Sequence, residues 1–163
     1  MTDFDALYRR YAPDVFRFAL YLSGDRSEAE DITSETFVRA WTASGTIRAA
    51  TVKGYLFTIA RHLFLRALRR APRQVEIPET LPDPAAGPDV RAERDSEVAA
   101  ALRALQRLPE IDRAALLMRA ADDMPYEEIA RALGLSLASV KVRIHRARLA
   151  LRGSGERGQG EPP

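Results

Sequence analysis

Seven side chains on one short stretch carry the clearest chemical signal in this chain. Ser139, Lys141, Val142, Arg143, His145, Arg146 and Arg148 fall within ten residues, and no carboxylate occurs anywhere from Ile129 to Gly155. Cations and hydroxyls at that density suit base-pair edges in the major groove and the phosphates that flank them. Val142 among them offers a methyl-sized apolar contact of the kind a thymine accepts. The ordinary alternative for a run of charge is a face turned to water. What argues against it here is the build of the stretch that carries these residues.

That stretch, Met124 to Arg152, predicts two short amphipathic helices joined by a tight turn. Pro125 suits a first helical turn, because its fixed φ fits and its missing N–H is not needed there. Tyr126, Ile129, Ala130 and Leu133 recur at helical spacing. Gly134 stands where a positive φ is cheapest, and Ser136 is a natural N-cap for the next helix. Val140, Ile144, Ala147 and Leu151 then form a buried stripe, leaving Lys141, Val142, His145 and Arg146 on the opposite face. A short helix, a glycine turn and a basic second helix make a helix-turn-helix, whose second helix can enter the major groove.

A second basic window runs from Thr36 to Val75, again without an acid. It holds Arg48, Lys53 and Arg61 beside the aromatic residues Trp41 and Tyr55. Cations interleaved with aromatic rings suit single-stranded nucleic acid, which needs its backbone neutralised and flat surfaces for its bases. Phe57, Phe64 and Trp41 are expected in the core, the basic face outside it. Just upstream, Glu28, Asp31 and Glu35 line one edge of a helix. Such an edge commonly faces solvent, and its other use is to dock a basic partner helix.

The rest of the chain positions these surfaces. Residues 3–22 predict a first helix, with Pro13 expected to kink or split it. Gly24 ends it, and Asp25 or Ser27 caps a second, DRSEAEDITSETFVRAW. Thr51 opens a third, to about Arg70, with Val52, Leu56, Ile59, Leu63 and Leu68 as its inward stripe. Residues 71–88 hold five of the ten prolines together with Glu76, Glu79 and Asp83, which predicts an extended linker. Helix resumes at Asp89, with Val98, Ala101, Leu102, Leu105 and Leu108 inward, and Pro109 starts another. The expected fold is therefore all-α: two small helical domains, about 1–70 and 95–152, joined by a Pro-rich linker at 71–94, with a disordered tail at 153–163.

Composition excludes several classes. The chain has 163 residues, a formal charge of +2 and no cysteine, so disulfides and thiolate metal sites are ruled out. His62 and His145 have no ligand cluster beside them, and no nucleophile–base pair or phosphate loop occurs. No catalytic residue, metal ligand or cofactor is expected. Without a long apolar run or a signal peptide, the expectation is a cytoplasmic protein that does not insert into membranes.

Three segments carry a family resemblance: AEDITSETFVRAW, GYLFTIARHLFLRALRR, and LPEIDRAALLMRAADDMPYEEIARALGLSLASVKVRIHRARLAL. In this order, with a linker between them, they resemble regions 2 and 4 of bacterial RNA polymerase sigma factors of the small extracytoplasmic-function group. The resemblance covers about 1–70 and 97–152. It implies that Asp31, Glu35, Phe37 and Trp41 dock on the clamp helices of the polymerase largest subunit. It implies that the loop near Ser44 to Lys53, with Arg48 and Lys53 foremost, meets the melted strand of the minus-ten element. It places Ser139, Lys141, Val142, His145 and Arg146 on the minus-thirty-five duplex, and makes an anti-sigma factor an expected partner. The chain departs from the family's usual pattern where ARHLFLRALRR stands for ARNxxxDxLRR, and where ASVKVR stands for GTVKSR. The competing reading is a stand-alone helix-turn-helix regulator that never touches polymerase.

Overall fold

A computed structural model describes the backbone of residues 4–43, 51–70 and 88–158. Every regular element among them is an α-helix: α1 (Phe4–Ser23), α2 (Arg26–Thr42), α3 (Val52–Arg70), α4 (Pro88–Gln106), α5 (Glu110–Ala120), α6 (Tyr126–Leu133) and α7 (Leu137–Gly158). The loop at 44–50, with Arg48, and the linker at 71–87 lie outside the described residues.

Local chemistry sets most of these boundaries. Gly24 turns the chain after α1 at φ +74°, where an L side chain would be strained. The Asp25 carboxylate then accepts from the Glu28 N–H at 3.2 Å and caps α2. Thr51 does the same for α3, accepting from the Gly54 N–H at 3.1 Å. Two expectations change. Pro13 neither splits nor ends α1, which runs unbroken to Ser23; Val15, Phe18, Ala19 and Leu22 beyond it are buried, and their packing outweighs one lost backbone bond. At the other end α7 continues through Gly158 rather than stopping at 152. No proline intervenes before Pro162, so no residue there bars the helical backbone.

The helices form two lobes, α1–α3 and α4–α7, that pack on each other. α1 lies against α2 and α3 in its own lobe and against α4 and α5 of the other, and α3 meets α6. One buried cluster runs through both lobes, from Val15, Phe18 and Leu22 through Phe57 and Phe64 to Leu105, Met118, Ile129 and Ile144. Phe18 and Phe57 stack at 4.5 Å between centroids, tying α1 to α3. The inward stripes differ in detail from those expected. On α3 the core is Leu56, Phe57, Ala60 and Phe64, while Leu68 is exposed, because Leu68 lies past the last turn that a neighbouring helix covers. On α4, Ala99 is buried and Ala101 exposed.

Candidate nucleic-acid interface

The helix-turn-helix forms as its sequence predicts. Gly134 closes α6 at φ +68°, and the Gly134 and Leu135 N–H groups both return to the Ala130 carbonyl. Ser136 caps α7 by accepting from the Ser139 N–H at 3.1 Å. Val140, Ile144 and Ala147 are buried, which fixes the rotation of α7 and turns the other face outward. Lys141, Val142, His145, Arg146 and Arg148 are all exposed on it, and Val142 is more than half exposed despite being aliphatic. Lys141 also approaches the Tyr126 ring at 5.8 Å, a ring that Arg119 covers at 4.7 Å.

Arg143 does not share that face. Its Nη1 donates to Asp112 Oδ1 at 2.8 Å and its Nε to Ser139 Oγ at 3.2 Å, so both its position and that of Ser139 serve to brace α7. It sits one helical position from the buried Ile144, and the carboxylate of α5 lies there to receive it. Asp112 is itself buried, in the first turn of α5, where the helix dipole favours a negative charge. Its other oxygen lies 3.4 Å from Arg146 Nε.

On the α1–α3 lobe, Asp31 and Glu35 are exposed and border a groove between α2 and α3 with Val38, Arg39, Leu63 and Arg66. Glu35 is paired to Arg39 at 3.2 Å, an exposed i,i+4 contact that contributes little. Trp41, expected in the core, is 52% exposed and rests edge-on against Phe4 at 5.1 Å. It occupies the last turn of α2, where only the first turn of α1 reaches it among the described residues. Phe37, expected on the docking surface, is instead 1% exposed, packed against Tyr8 and Phe4, because it falls on the α1-facing side of α2.

The second basic window is where the structure adds most. Lys53 Nζ lies 3.2 Å from Asp14 and 3.5 Å from Asp122, and Arg17 bridges the same two carboxylates at 3.1 Å each. Arg61 clasps Glu110 with two bonds, at 2.7 and 2.9 Å. The Thr51 hydroxyl donates to Glu128, whose carboxylate lies directly over Gly54; a Cβ built at Gly54 would stand 2.5 Å from it. Asp122, Glu110 and Glu128 all belong to the α4–α7 lobe. Lys53 and Arg61, expected to meet nucleic acid, are thus held by acids of the other lobe, and Lys53 by Asp14 of its own lobe as well. Burial pushes the Asp122 carboxyl up from its ordinary value, against the opposing pull of Lys53 and Arg17. Its Oδ2 has no hydrogen-bond partner. Backbone contacts reinforce the junction: Arg113 donates to the Leu22 carbonyl at the end of α1, and Gln106 Nε2 to the Tyr21 carbonyl at 2.8 Å. Burial lowers the Arg113 guanidinium from its ordinary value.

None of Glu110, Asp112, Asp122 and Glu128 was singled out from the sequence. The signal available was indirect: two acid-free basic windows imply that the acids meeting them come from elsewhere in the chain. No helix among the described residues is long and apolar enough to cross a membrane.

Two family models match the chain: Sigma-70 region 2 over residues 7–74 and Sigma-70 region 4 over residues 99–151. Among curated relatives, the ECF RNA polymerase sigma factor SigE of Mycolicibacterium smegmatis is 38% identical over 93% of this chain, which spans 61% of that relative. The ECF RNA polymerase sigma factor SigM of Bacillus subtilis is 30% identical over 94% of this chain and 96% of its own length. Among solved structures, the sigma factor RpoE from Bartonella quintana, in complex with the anti-sigma factor NepR, superposes with a TM-score of 0.78 at 24% identity, covering 94% of this chain and 97% of that one. CnrH, in complex with the cytosolic domain of CnrY, gives a TM-score of 0.70 at 25% identity, covering 92% and 85%.

Proposed function

This chain belongs to the extracytoplasmic-function sigma factors of bacterial RNA polymerase, and we propose that it binds the core enzyme and directs promoter recognition, strand opening and initiation. It performs no chemistry of its own. The observation that carries the reading is the pairing of two surfaces on one chain. One is a helix-turn-helix whose second helix exposes Lys141, Val142, His145, Arg146 and Arg148; the other is the Asp31–Glu35 edge of α2 with Trp41 beside it. A self-sufficient repressor has use for the first surface and none for the second.

In this reading α7 enters the major groove of the minus-thirty-five element. Lys141 and Arg146 address base edges or phosphates, and Val142 a thymine methyl. Asp31, Glu35 and Trp41 dock on the clamp helices of the largest subunit. Arg48, Lys53 and Arg61 meet the melted strand; for Lys53 this requires release from Asp14 and Asp122, and for Arg61 from Glu110. An anti-sigma factor, as NepR is to the RpoE of Bartonella quintana, would act by holding the chain away from polymerase.

The test separates the two surfaces. Asp31→Lys with Glu35→Lys places cations against a basic partner helix and should abolish co-elution with core polymerase. Duplex binding through α7 should persist. If the double variant still binds core and initiates at the wild-type rate, the docking assignment is wrong.

A further inference from the structure

Two arginines of the recognition helix are treated differently by one buried carboxylate. Asp112 takes Arg143 Nη1 on one oxygen at 2.8 Å and faces Arg146 Nε with the other at 3.4 Å. Arg143 has little left to offer: Ser139 engages its Nε as well, and its side chain is 29% exposed. Arg146 is 61% exposed. A guanidinium has five N–H donors, one on Nε and two on each terminal nitrogen. With its Nε facing Asp112 at ion-pair distance, Arg146 keeps its terminal pair outward, and that pair is the fork that matches guanine O6 and N7.

We propose that Asp112 is a specificity-determining positioning residue: it withdraws Arg143 from the DNA and orients Arg146 through the ion pair at its Nε, so that one aimed arginine, rather than two mobile ones, reads the duplex. The inference rests on the function proposed above. A flexible surface arginine finds phosphate oxygens as readily as base edges, and phosphate contacts carry no sequence information. Anchoring the stem converts the same side chain into a contact with a defined direction. Asp112 touches no DNA in this arrangement; it acts wholly through the two arginines. Its burial and its place in the first turn of α5 hold the carboxylate still, which an exposed acid could not do.

The experiment uses holoenzyme reconstituted from the full chain and bacterial core polymerase. A randomised duplex pool first defines the element that the wild type prefers. Anisotropy then compares that duplex with single-base changes over a range of salt. Asp112→Asn should reduce discrimination by about fivefold or more, the factor that one lost base contact of about 1 kcal/mol represents. It should tighten binding to mismatched duplex and steepen the salt dependence by about one, as a freed arginine finds a phosphate. In an Arg146→Gln background, the same substitution should leave discrimination unchanged. A merely structural role would weaken every duplex alike and leave the salt slope where it was, and that result overturns the proposal. So does unchanged discrimination in Asp112→Asn. Should that variant fail to fold, Arg143→Gln decides the matter: an inward arginine leaves the salt slope unaltered, whereas a slope shallower by about one marks a phosphate contact and refutes the assignment. A wild-type holoenzyme that selects no sequence refutes the functional reading, and this inference with it.

Discussion

Replacing Glu110 with Gln removes the acid that occupies Arg61, and the consequence can be followed through the fold. Arg61 and Glu110 sit on different lobes, meet through two bonds at 2.7 and 2.9 Å, and are 12% and 19% exposed. Exposed ion pairs contribute about 0–1 kcal/mol, and stranding one partner of a fully buried pair costs about 3–5 kcal/mol. This geometry lies between the two, so roughly 2 kcal/mol of the closed arrangement depends on the pair. With the lobes apart, both groups are solvated and the substitution costs nothing. Glu110→Gln should therefore shift the closed–open balance toward open by about thirtyfold, at about 1.4 kcal/mol per factor of ten. When the closed form predominates, the free chain's apparent affinity for single-stranded DNA rises by up to the same factor. Anisotropy of a labelled oligonucleotide reads the affinity. Dyes on Thr42→Cys and Arg131→Cys read the separation of the lobes, and the absence of native cysteine keeps the labelling specific. Arg61→Gln is the control: it too should open the chain, yet gain far less affinity, because the released cation is missing. If Glu110→Gln alters neither dye separation nor strand binding, the junction does not regulate access to Arg61, and the reasoning fails.

Other expectations are simpler. Asp122→Asn should leave the fold at least as stable as wild type near pH 7, although it deletes two ion pairs. The Asp122 carboxyl titrates above its ordinary value in the folded state, so the folded chain binds its proton more tightly than the unfolded chain does. That group's contribution therefore falls as pH rises from the unfolded toward the folded value, and stays at its low level above it. Urea titrations at pH 7 and pH 4 should show any advantage of Asp122→Asn shrinking at the lower pH; a variant clearly less stable at pH 7 contradicts this. Gly134→Ala meets no atom within 4 Å but keeps φ +68°, so backbone strain alone should cost about 1–2 kcal/mol in a thermal melt. Phe57→Ala, at the α1–α3 stack, should cost about 3–5 kcal/mol; a loss below about 1 kcal/mol would mean that the site collapses to fill the gap.

The all-α class and the helix-turn-helix were legible because their determinants are local. Helical spacing, Gly134 and Ser136 act within one or two turns, and the structure shows each where its chemistry requires it. The outward face of α7 followed from the same periodicity, apart from Arg143, whose direction is set by Asp112, 31 residues away. Asp122 lies 105 residues from Arg17, and Glu110 49 from Arg61. No spacing rule reaches that far, so the acids that neutralise the second basic window could not be picked from others in the chain. That Phe37 is covered and Trp41 exposed was illegible for a related reason. Both fit the apolar pattern of α2, and which one is covered depends on where α1 lies.

The junction between the lobes is bonded in two ways that respond differently to added salt. Its ion pairs, Lys53–Asp122, Arg17–Asp122 and Arg61–Glu110, weaken as any electrolyte shortens the screening distance, the partly exposed ones most. The apolar cluster that runs through both lobes is strengthened by strongly hydrated anions, which are excluded from protein surface. At equal ionic strength, where screening is the same, sulfate should thus hold the lobes closed to a greater extent than chloride. For this chain, the anion is a variable separate from ionic strength, able to set which of its surfaces are on view before any partner arrives.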